Sequence, residues 1–370
     1  MSQHSQQTKV GIIGCGNISH AYFGTNAKFS FFEITACADL NLEAARAKAE
    51  EWNIAKACSV EELLADPEIE FVINLTIPAA HGPVMLQCLE AGKSVYTEKP
   101  FTVTRDQARQ IIALAKEKNL RVGSAPDTFL GGAHQTCRKL IDEGAIGEVV
   151  SATAFMAGRG HEHWHPSPEF YYKKGGGPVF DMGPYYLTDL VQLIGPIESV
   201  SAYARITHKQ RTISSEPLQG KVMDVEIPTH VSGSMQFQNG AIGTLMMSFD
   251  VQAHTLPNIQ IHGTKGSLFV PDPNGFGGTV EVRKVGEEPR EIELTHGYLE
   301  NARGIGMADM VRAMQTGRDH RCNERVAYHV LDVMHALHDS AEQRRHIDLE
   351  SSCQRPAMLP VGLEDGELDS

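Results

Sequence analysis

The chain changes rhythm once. At first, short apolar runs alternate with amphipathic stretches: KVGIIG, FEITACAD, FVINLTI, KSVYTEK and LRVGSA, with NLEAARAKAEEW, HGPVMLQCLEAG and RDQARQIIALAKEKN between them. The apolar runs read as buried strands. In the last amphipathic stretch Ala108, Ile111, Ile112 and Leu114 recur among charged residues at helical spacing. Strand–helix–strand order with short connections predicts a parallel sheet with helices on both faces.

Beyond residue 125 the pattern differs. RKLIDEGAIGEVVSATAFMA predicts a helix ending at Gly144 and then a strand. HVSGSMQFQNG, AIGTLMMSFDVQ, NIQIHGTKGSLFVP, GTVEVRKV and REIELT read as consecutive strands joined by Asn-Gly and Gly-Thr-Lys-Gly turns, and MADMVRAMQTG and RVAYHVLDVMHALHDSAEQ as closing helices. The predicted fold class is α/β. A Rossmann-type dinucleotide-binding domain (residues 1–125) precedes an α+β domain (residues 126–350) with a large, open, mainly antiparallel sheet. Residues 351–370 are acidic and are expected to form a loosely ordered tail.

A length of 370 residues agrees with two domains. The net charge of −13 argues against nucleic acid and anionic membranes as partners, since both demand basic surfaces. No apolar run approaches the roughly 20 residues of a membrane span. The start, MSQHSQQTK, is polar and has no signal-peptide core. Seven scattered cysteines, odd in number and without a C-x-x-C pair, fit reduced thiols and a cytoplasmic location.

VGIIGCGNIS puts Gly14, Gly16, Asn17, Ile18 and Ser19 directly after a strand and before a helix. Glycines there allow a tight turn and let a pyrophosphate approach the backbone and the helix start. A plain tight turn would use the same residues. Asp39 ends the second strand about 20 residues on, where a carboxylate would accept ribose hydroxyls. Leu40 and Asn41 follow where an NADP site would offer Arg or Ser, so NAD is preferred. The alternative for Asp39 is a cap for the helix from Leu42. In KSVYTEKP, Pro100 disfavours a helical Lys99 and projects it at a strand's C-terminal end, where open parallel sheets bind ligands.

Gly14-x-Gly16, Thr76-x-Pro78-x-x-His81, Glu98-Lys99-Pro100, IDEGAIGEV and the GGGxxxDxG segment occur in this order. As a set they resemble the Gfo/Idh/MocA oxidoreductases, over nearly the whole chain. The resemblance implies a nicotinamide cofactor and a sugar or cyclic polyol oxidised at one hydroxyl. It implies that Lys99 hydrogen-bonds substrate and ribose. Glu98 would lie on the cofactor side, and Thr76, Pro78 and His81 would form the wall near the adenosine and nicotinamide.

Many relatives read GGGxxxDxGxHxxD, with Asp binding substrate and His as acid/base. Here Asp181 keeps the Asp, but Tyr185 stands in place of the His, a departure that resembles the Tyr-using part of the family. A free phenol titrates at about 10, so a Tyr base needs a nearby cation; Lys99 is the candidate. Tyr185 would then accept the hydroxyl proton while Asp181 fixes a neighbouring hydroxyl or Lys99. Alternatively Lys99 handles the proton and Tyr185 only packs. If a helix begins at Pro178, Asp181 and Tyr185 share its face; if it begins after Gly183, Asp181 lies outside.

Upstream, His161, His163, Trp164 and His165 in HEHWH offer donors and an apolar ring face to a sugar, with no zinc-type spacing. Asp127 is a further cleft candidate. The leading expectation is an NAD-dependent dehydrogenase of a monosaccharide, an aldose or a branched pentose such as apiose. The alternatives are an inositol or glycoside dehydrogenase and a catalytically silent NAD- or sugar-binding regulator. The open sheet face is expected to be covered in a homodimer or homotetramer.

Overall fold

The computed structural model describes residues 7–370; MSQHSQ, the polar opening, lies outside them. The chain divides into two compact units. One runs to Gly131 and includes His296–Tyr328 and Leu359–Ser370; the other comprises Gly132–Thr295 and His329–Met358. The expected contiguous division is therefore replaced by one in which two late segments belong to the first unit.

The first unit contains β1 (Thr8–Ile13), α1 (Ser19–Thr25), β2 (Phe32–Ala38), α2 (Leu42–Trp52), β3 (Lys56–Cys58), α3 (Val60–Ala65), β4 (Phe71–Asn74), α4 (Pro78–Glu90), β5 (Ser94–Thr97), α5 (Arg105–Glu117) and β6 (Val122–Ser124). The sheet runs β3-β2-β1-β4-β5-β6 with every pair parallel. β4 and β5 are buried along their whole length, which is why they read as unbroken apolar runs. β3 and α3 add to the expected elements; three residues are too few to show a period. Local chemistry starts the helices: Asn41 accepts from Glu43 N–H, Ser59 and Glu62 form a reciprocal capping box, and Thr104 accepts from Gln107 N–H. Such caps contribute about 1 kcal/mol each. The strand order reverses between β1 and β4, and open α/β sheets bind ligands beyond such a reversal.

The second unit opens with α6 (Gly132–Asp142) and β7 (Val149–Ala157), then α7 (Gly177–Asp181) and α8 (Gly183–Leu193). Strands β8 (Ile197–Arg205), β9 (Gln210–Thr212), β10 (Val222–Asp224), β11 (His230–Phe237), β12 (Ile242–Ser248), β13 (Ile259–Gly263), β14 (Ser267–Val270), β15 (Val280–Arg283) and β16 (Arg290–Ile292) follow. The segment His296–Tyr328 gives the first unit α9 (Ile305–Thr316) and the start of α10 (Glu324–Gln343), whose remainder belongs to the second unit and is followed by β17 (Ile347–Asp348). Nine strands form one sheet, β16-β15-β14-β13-β7-β12-β11-β8-β17. Only β7 and β12 pair in parallel, so the sheet is mixed but mainly antiparallel. β8, absent from the expected strands, reads IESVSAYAR, where small residues blur the alternation. α8 is buried throughout, and Val231, Met235 and Phe237 of β11 and Leu245 and Met247 of β12 point to one buried face. On the opposite face Tyr203, Ser232, Met246 and Phe155 form a cross-strand row that is exposed or half-buried.

The acidic end is not loose. Asp369 pairs with Arg321 at 2.7 Å, and Tyr298 binds Asp365 through its N–H and the Glu367 carbonyl through its hydroxyl. A guanidinium exposed to only 3 % needs compensating carboxylates, and the tail supplies one.

Candidate functional site

In the first unit the candidate residues gather beyond the carboxyl ends of β1, β2 and β4. Gly14 has φ +103°, and a Cβ there would lie 2.6 Å from the Leu75 carbonyl carbon, so only glycine lets the loop lie against the strand end after β4. Gly16, Asn17 and Ile18 are exposed at the turn into α1. The Asp39 carboxylate accepts from Cys15 N–H at 2.8 Å and from Asn41 N–H at 2.9 Å. It thereby ties the glycine loop to the end of β2, while Asn41 takes the helix-capping task. A carboxylate has about four lone-pair sites, so Asp39 retains acceptor capacity for a pair of hydroxyls.

Beside it lies a cleft of about 480 Å³ lined by Gly14, Gly16, Asp39, Leu40, Thr76 and Ile77, among others. Leu40 and Ile77 are exposed apolar side chains on its walls. Covering either with a flat ring would contribute about 1–2 kcal/mol. The cradle that a Cβ would fill, the ribose-ready carboxylate and the apolar walls fit the adenosine half of a dinucleotide.

The other residues of this unit divide into lining and support. Thr76 lines the cleft, its hydroxyl held by Asn74 at 2.7 Å, and Pro78 occupies the first turn of α4. His81 was expected on the wall but is wholly buried. Its ring nitrogens face the Pro100 carbonyl at 2.7 Å and the Thr76 carbonyl at 3.0 Å, so it stitches the β4 turn to the Lys99 turn. Burial holds its pKa below the ordinary histidine value. Glu98 is likewise committed: it accepts from the Tyr22 hydroxyl at 2.8 Å and Lys99 N–H at 2.9 Å. The Lys99–Pro100 bond is cis, and the Lys99 side chain is half-buried.

Asp127, expected in a cleft, is only 1 % exposed. Its carboxylate accepts from Gly304 N–H at 2.7 Å and Gly306 N–H at 3.0 Å, which secures the start of α9. Burial pushes its pKa up to about 6, against the pull of these two N–H groups.

In the second unit the three glycines serve the backbone. Gly175 and Gly177 have φ +88° and +85°. A Cβ on Gly176 would meet the Phe170 carbonyl oxygen at 2.6 Å. Asp181 closes α7, the chain breaks at Met182, and Pro184 starts α8, so Tyr185 stands on a separate helix. Of the two arrangements compatible with Pro184, the structure takes the one that leaves Asp181 outside. Tyr185 is 9 % exposed. Its neighbour Tyr186 is buried and bonded to Asn258 at 3.1 Å, and burial raises its pKa. Asp189 is buried against His134 at 3.0 Å.

The HEHWH segment forms a polar and aromatic surface. Trp164 is exposed, with the His161 and His165 rings at 5.2 and 5.3 Å. His163 and His165 are half-buried, and burial lowers both pKa values. His161 Nε2 hydrogen-bonds Asp181 Oδ2 at 2.8 Å. That pairing was missing from the sequence reading, because nothing local links two residues separated by 20 positions. Glu162, between the histidines, turns the other way and pairs with Arg211 at 2.5 Å and with the Tyr172 hydroxyl; Arg211 also pairs with Asp250. This buried network fixes the direction of the loop. Among the described residues no cluster of His, Cys, Asp or Glu is arranged to hold a metal, and no helix is long and apolar enough to cross a membrane.

Comparison with known proteins agrees with both units. Residues 8–125 match the oxidoreductase family with an NAD-binding Rossmann fold, and residues 134–269 match the GFO/IDH/MocA C-terminal domain. The 1,5-anhydro-D-fructose reductase of Ensifer adhaerens is 29 % identical over 70 % of this chain and 74 % of that protein. The trans-1,2-dihydrobenzene-1,2-diol dehydrogenase of Mus musculus is 28 % identical over 69 % of this chain and 72 % of that protein. A levoglucosan dehydrogenase solved with NADH and L-sorbose superposes with a TM-score of 0.80 at 22 % identity, covering 94 % of this chain and all of that one.

Proposed function

Because the chain belongs to the Gfo/Idh/MocA oxidoreductase family, we propose that it is an NAD-dependent dehydrogenase of a monosaccharide. The favoured substrate is an aldose oxidised at its anomeric carbon, branched pentoses such as apiose included. The observation that carries the sugar assignment is Trp164, a large ring 56 % exposed and flanked by imidazoles. An apolar ring face bordered by hydrogen-bonding groups suits the C–H face and hydroxyls of a sugar. The sugar- and diol-acting relatives support the same class, and the diol dehydrogenase favours a secondary hydroxyl as the second reading.

NAD is preferred over NADP because Asp39 would repel a 2′-phosphate, and Leu40 and Asn41 offer it no cation. The nicotinamide, when bound, accepts the hydride from the carbinol carbon. Lys99 donates a hydrogen bond to the reacting hydroxyl, and Asp181 and Tyr185 belong to the substrate side. His163, Trp164 and His165 hold the sugar. The open sheet face around Tyr203 and Met246 joins copies of this chain, which a molar-mass measurement in solution tests.

The decisive experiment measures reduction of NAD and NADP with aldoses, inositols and glycosides, with Lys99→Ala as control. We expect NAD reduction with an aldose and a loss of about 10³-fold or more in Lys99→Ala. No reduction of either cofactor by any sugar or polyol refutes the dehydrogenase. Tight NADH and sugar binding without turnover would instead favour the silent regulator.

A further inference from the structure

His161 is held on every side. Its N–H donates to the Tyr172 hydroxyl at 3.0 Å, and its ring lies 4.0 Å from Tyr171 and 4.7 Å from Phe249. Gly160, just before it, has φ +92°, and a Cβ there would meet the Tyr172 hydroxyl, Glu162 and Arg211. The loop therefore has one path, and that path delivers Nε2 to Asp181 Oδ2 at 2.8 Å, with side chains 15 % and 9 % exposed.

A carboxylate accepts, so Nε2 carries the hydrogen, and in the neutral ring the lone pair is on Nδ1. No hydrogen bond to Nδ1 is recorded among the described residues. An imidazole whose far nitrogen is anchored on a carboxylate, with its near nitrogen uncommitted, is the general-base arrangement of the serine-hydrolase triad. The HEHWH loop thus supplies an imidazole beside Asp181, although the helix position after Gly183-Pro184 carries the phenol of Tyr185.

We infer that His161, oriented by Asp181, takes the substrate hydroxyl proton, and that Tyr185 contributes to binding only. This rests on the dehydrogenase reading and deepens it. In the step, the O–H bond breaks and an N–H bond forms at His161 Nδ1. The carbinol C–H electron pair would leave as hydride to the oxidised nicotinamide when that cofactor is bound, with C–O becoming C=O. Asp181 stabilises the imidazolium so formed, and in the reverse direction His161 returns the proton.

Two measurements test it. The first needs no activity: nitrogen-15 NMR of the histidine side chains in the unliganded protein, with His161 assigned through His161→Asn. We expect the Nε2–H tautomer, and Asp181→Asn to move the His161 Nε2 resonance as that hydrogen bond is weakened. An Nδ1–H tautomer, or a His161 Nε2 resonance indifferent to Asp181→Asn, overturns the inference.

The second is the pH profile of kcat/KM. In wild type it falls on the acid side as a histidine protonates. His161→Asn is expected to lose that limb and about 10²–10⁴-fold in kcat, with NADH affinity and melting temperature held. Tyr185→Phe is expected to raise KM and keep the limb. A limb kept in His161→Asn and lost in Tyr185→Phe overturns the inference while leaving the dehydrogenase standing. Wild-type inactivity toward every sugar and polyol overturns the dehydrogenase itself.

Discussion

Acid should weaken the second unit through His329. This side chain is wholly buried; Ile197 N–H donates to its Nε2 at 3.0 Å, so the ring proton lies on Nδ1 and faces the Ser351 hydroxyl at 2.9 Å. Protonation would set a second N–H against that of Ile197. Burial lowers the pKa from 6.5 to about 4, with Asp332 opposing only in part. The unfolded chain therefore binds a proton below about 6.5 that the folded chain refuses until about 4, and the stability is lost as pH falls through that window.

At about 1.36 kcal/mol per pH unit, the full window amounts to on the order of 3 kcal/mol, of which about 2 kcal/mol is gone at pH 5. Urea unfolding of wild type and His329→Gln at pH 7.5, 6 and 5 reads this directly. The variant starts less stable, but its deficit should shrink by about 2 kcal/mol on going to pH 5. His81 and His320, whose pKa values are also lowered by burial, are common to both proteins and cancel in the difference. Parallel profiles for the two proteins would refute the reasoning.

Gly14→Ala forces a side chain into φ +103° and toward the Leu75 backbone, so NADH affinity, followed by fluorescence, should fall at least about 10-fold and stability by about 1–3 kcal/mol. Asp39→Ala removes the ribose acceptor and the anchor of Cys15 N–H; the NAD-to-NADP preference in kcat/KM should fall about 10-fold or more, and an unchanged ratio refutes that role. Asp309, wholly buried, binds Arg318 and Arg321, so Asp309→Ala leaves the buried Arg321 guanidinium with Asp369 alone and should cost about 3 kcal/mol. Asp369→Ala, from the exposed side of the same cluster, should cost about 1 kcal/mol or less by the same urea titration, and equal losses would refute the distinction.

What could be read from the sequence was what is decided within a few residues. β4 and β5 are buried along their whole length, and Gly14 is demanded by a turn next to it. Asn41, Ser59 and Thr104 cap the helices they precede. Failures came where a polar group is satisfied from afar. Asp127 looked like a cleft residue because nothing near it takes its charge; its partners, Gly304 and Gly306, lie more than 170 positions away. The acidic tail looked unattached because its counter-ion, Arg321, lies 48 positions before Asp369.

The same logic applies to GGGxxxDxG. A Cβ on Gly176 or Gly177 would meet Phe170 or Ile227, so these glycines serve close packing of the backbone, while the carboxylate of the segment, Asp181, hydrogen-bonds His161. That pairing goes with a second charge pattern that has no sequence proximity. Arg211 on β9, itself paired with Asp250 just after β12, holds Glu162, and Glu162 turns the loop so that His161 rather than His163 meets Asp181. In HEHWH the residue without a ligand-like role, the glutamate, decides which histidine reaches the carboxylate. Glu162→Gln, which removes that charge at nearly constant shape, should thus loosen the Arg211 pairing and weaken the His161–Asp181 hydrogen bond, read by nitrogen-15 NMR, although neither partner of that bond is substituted.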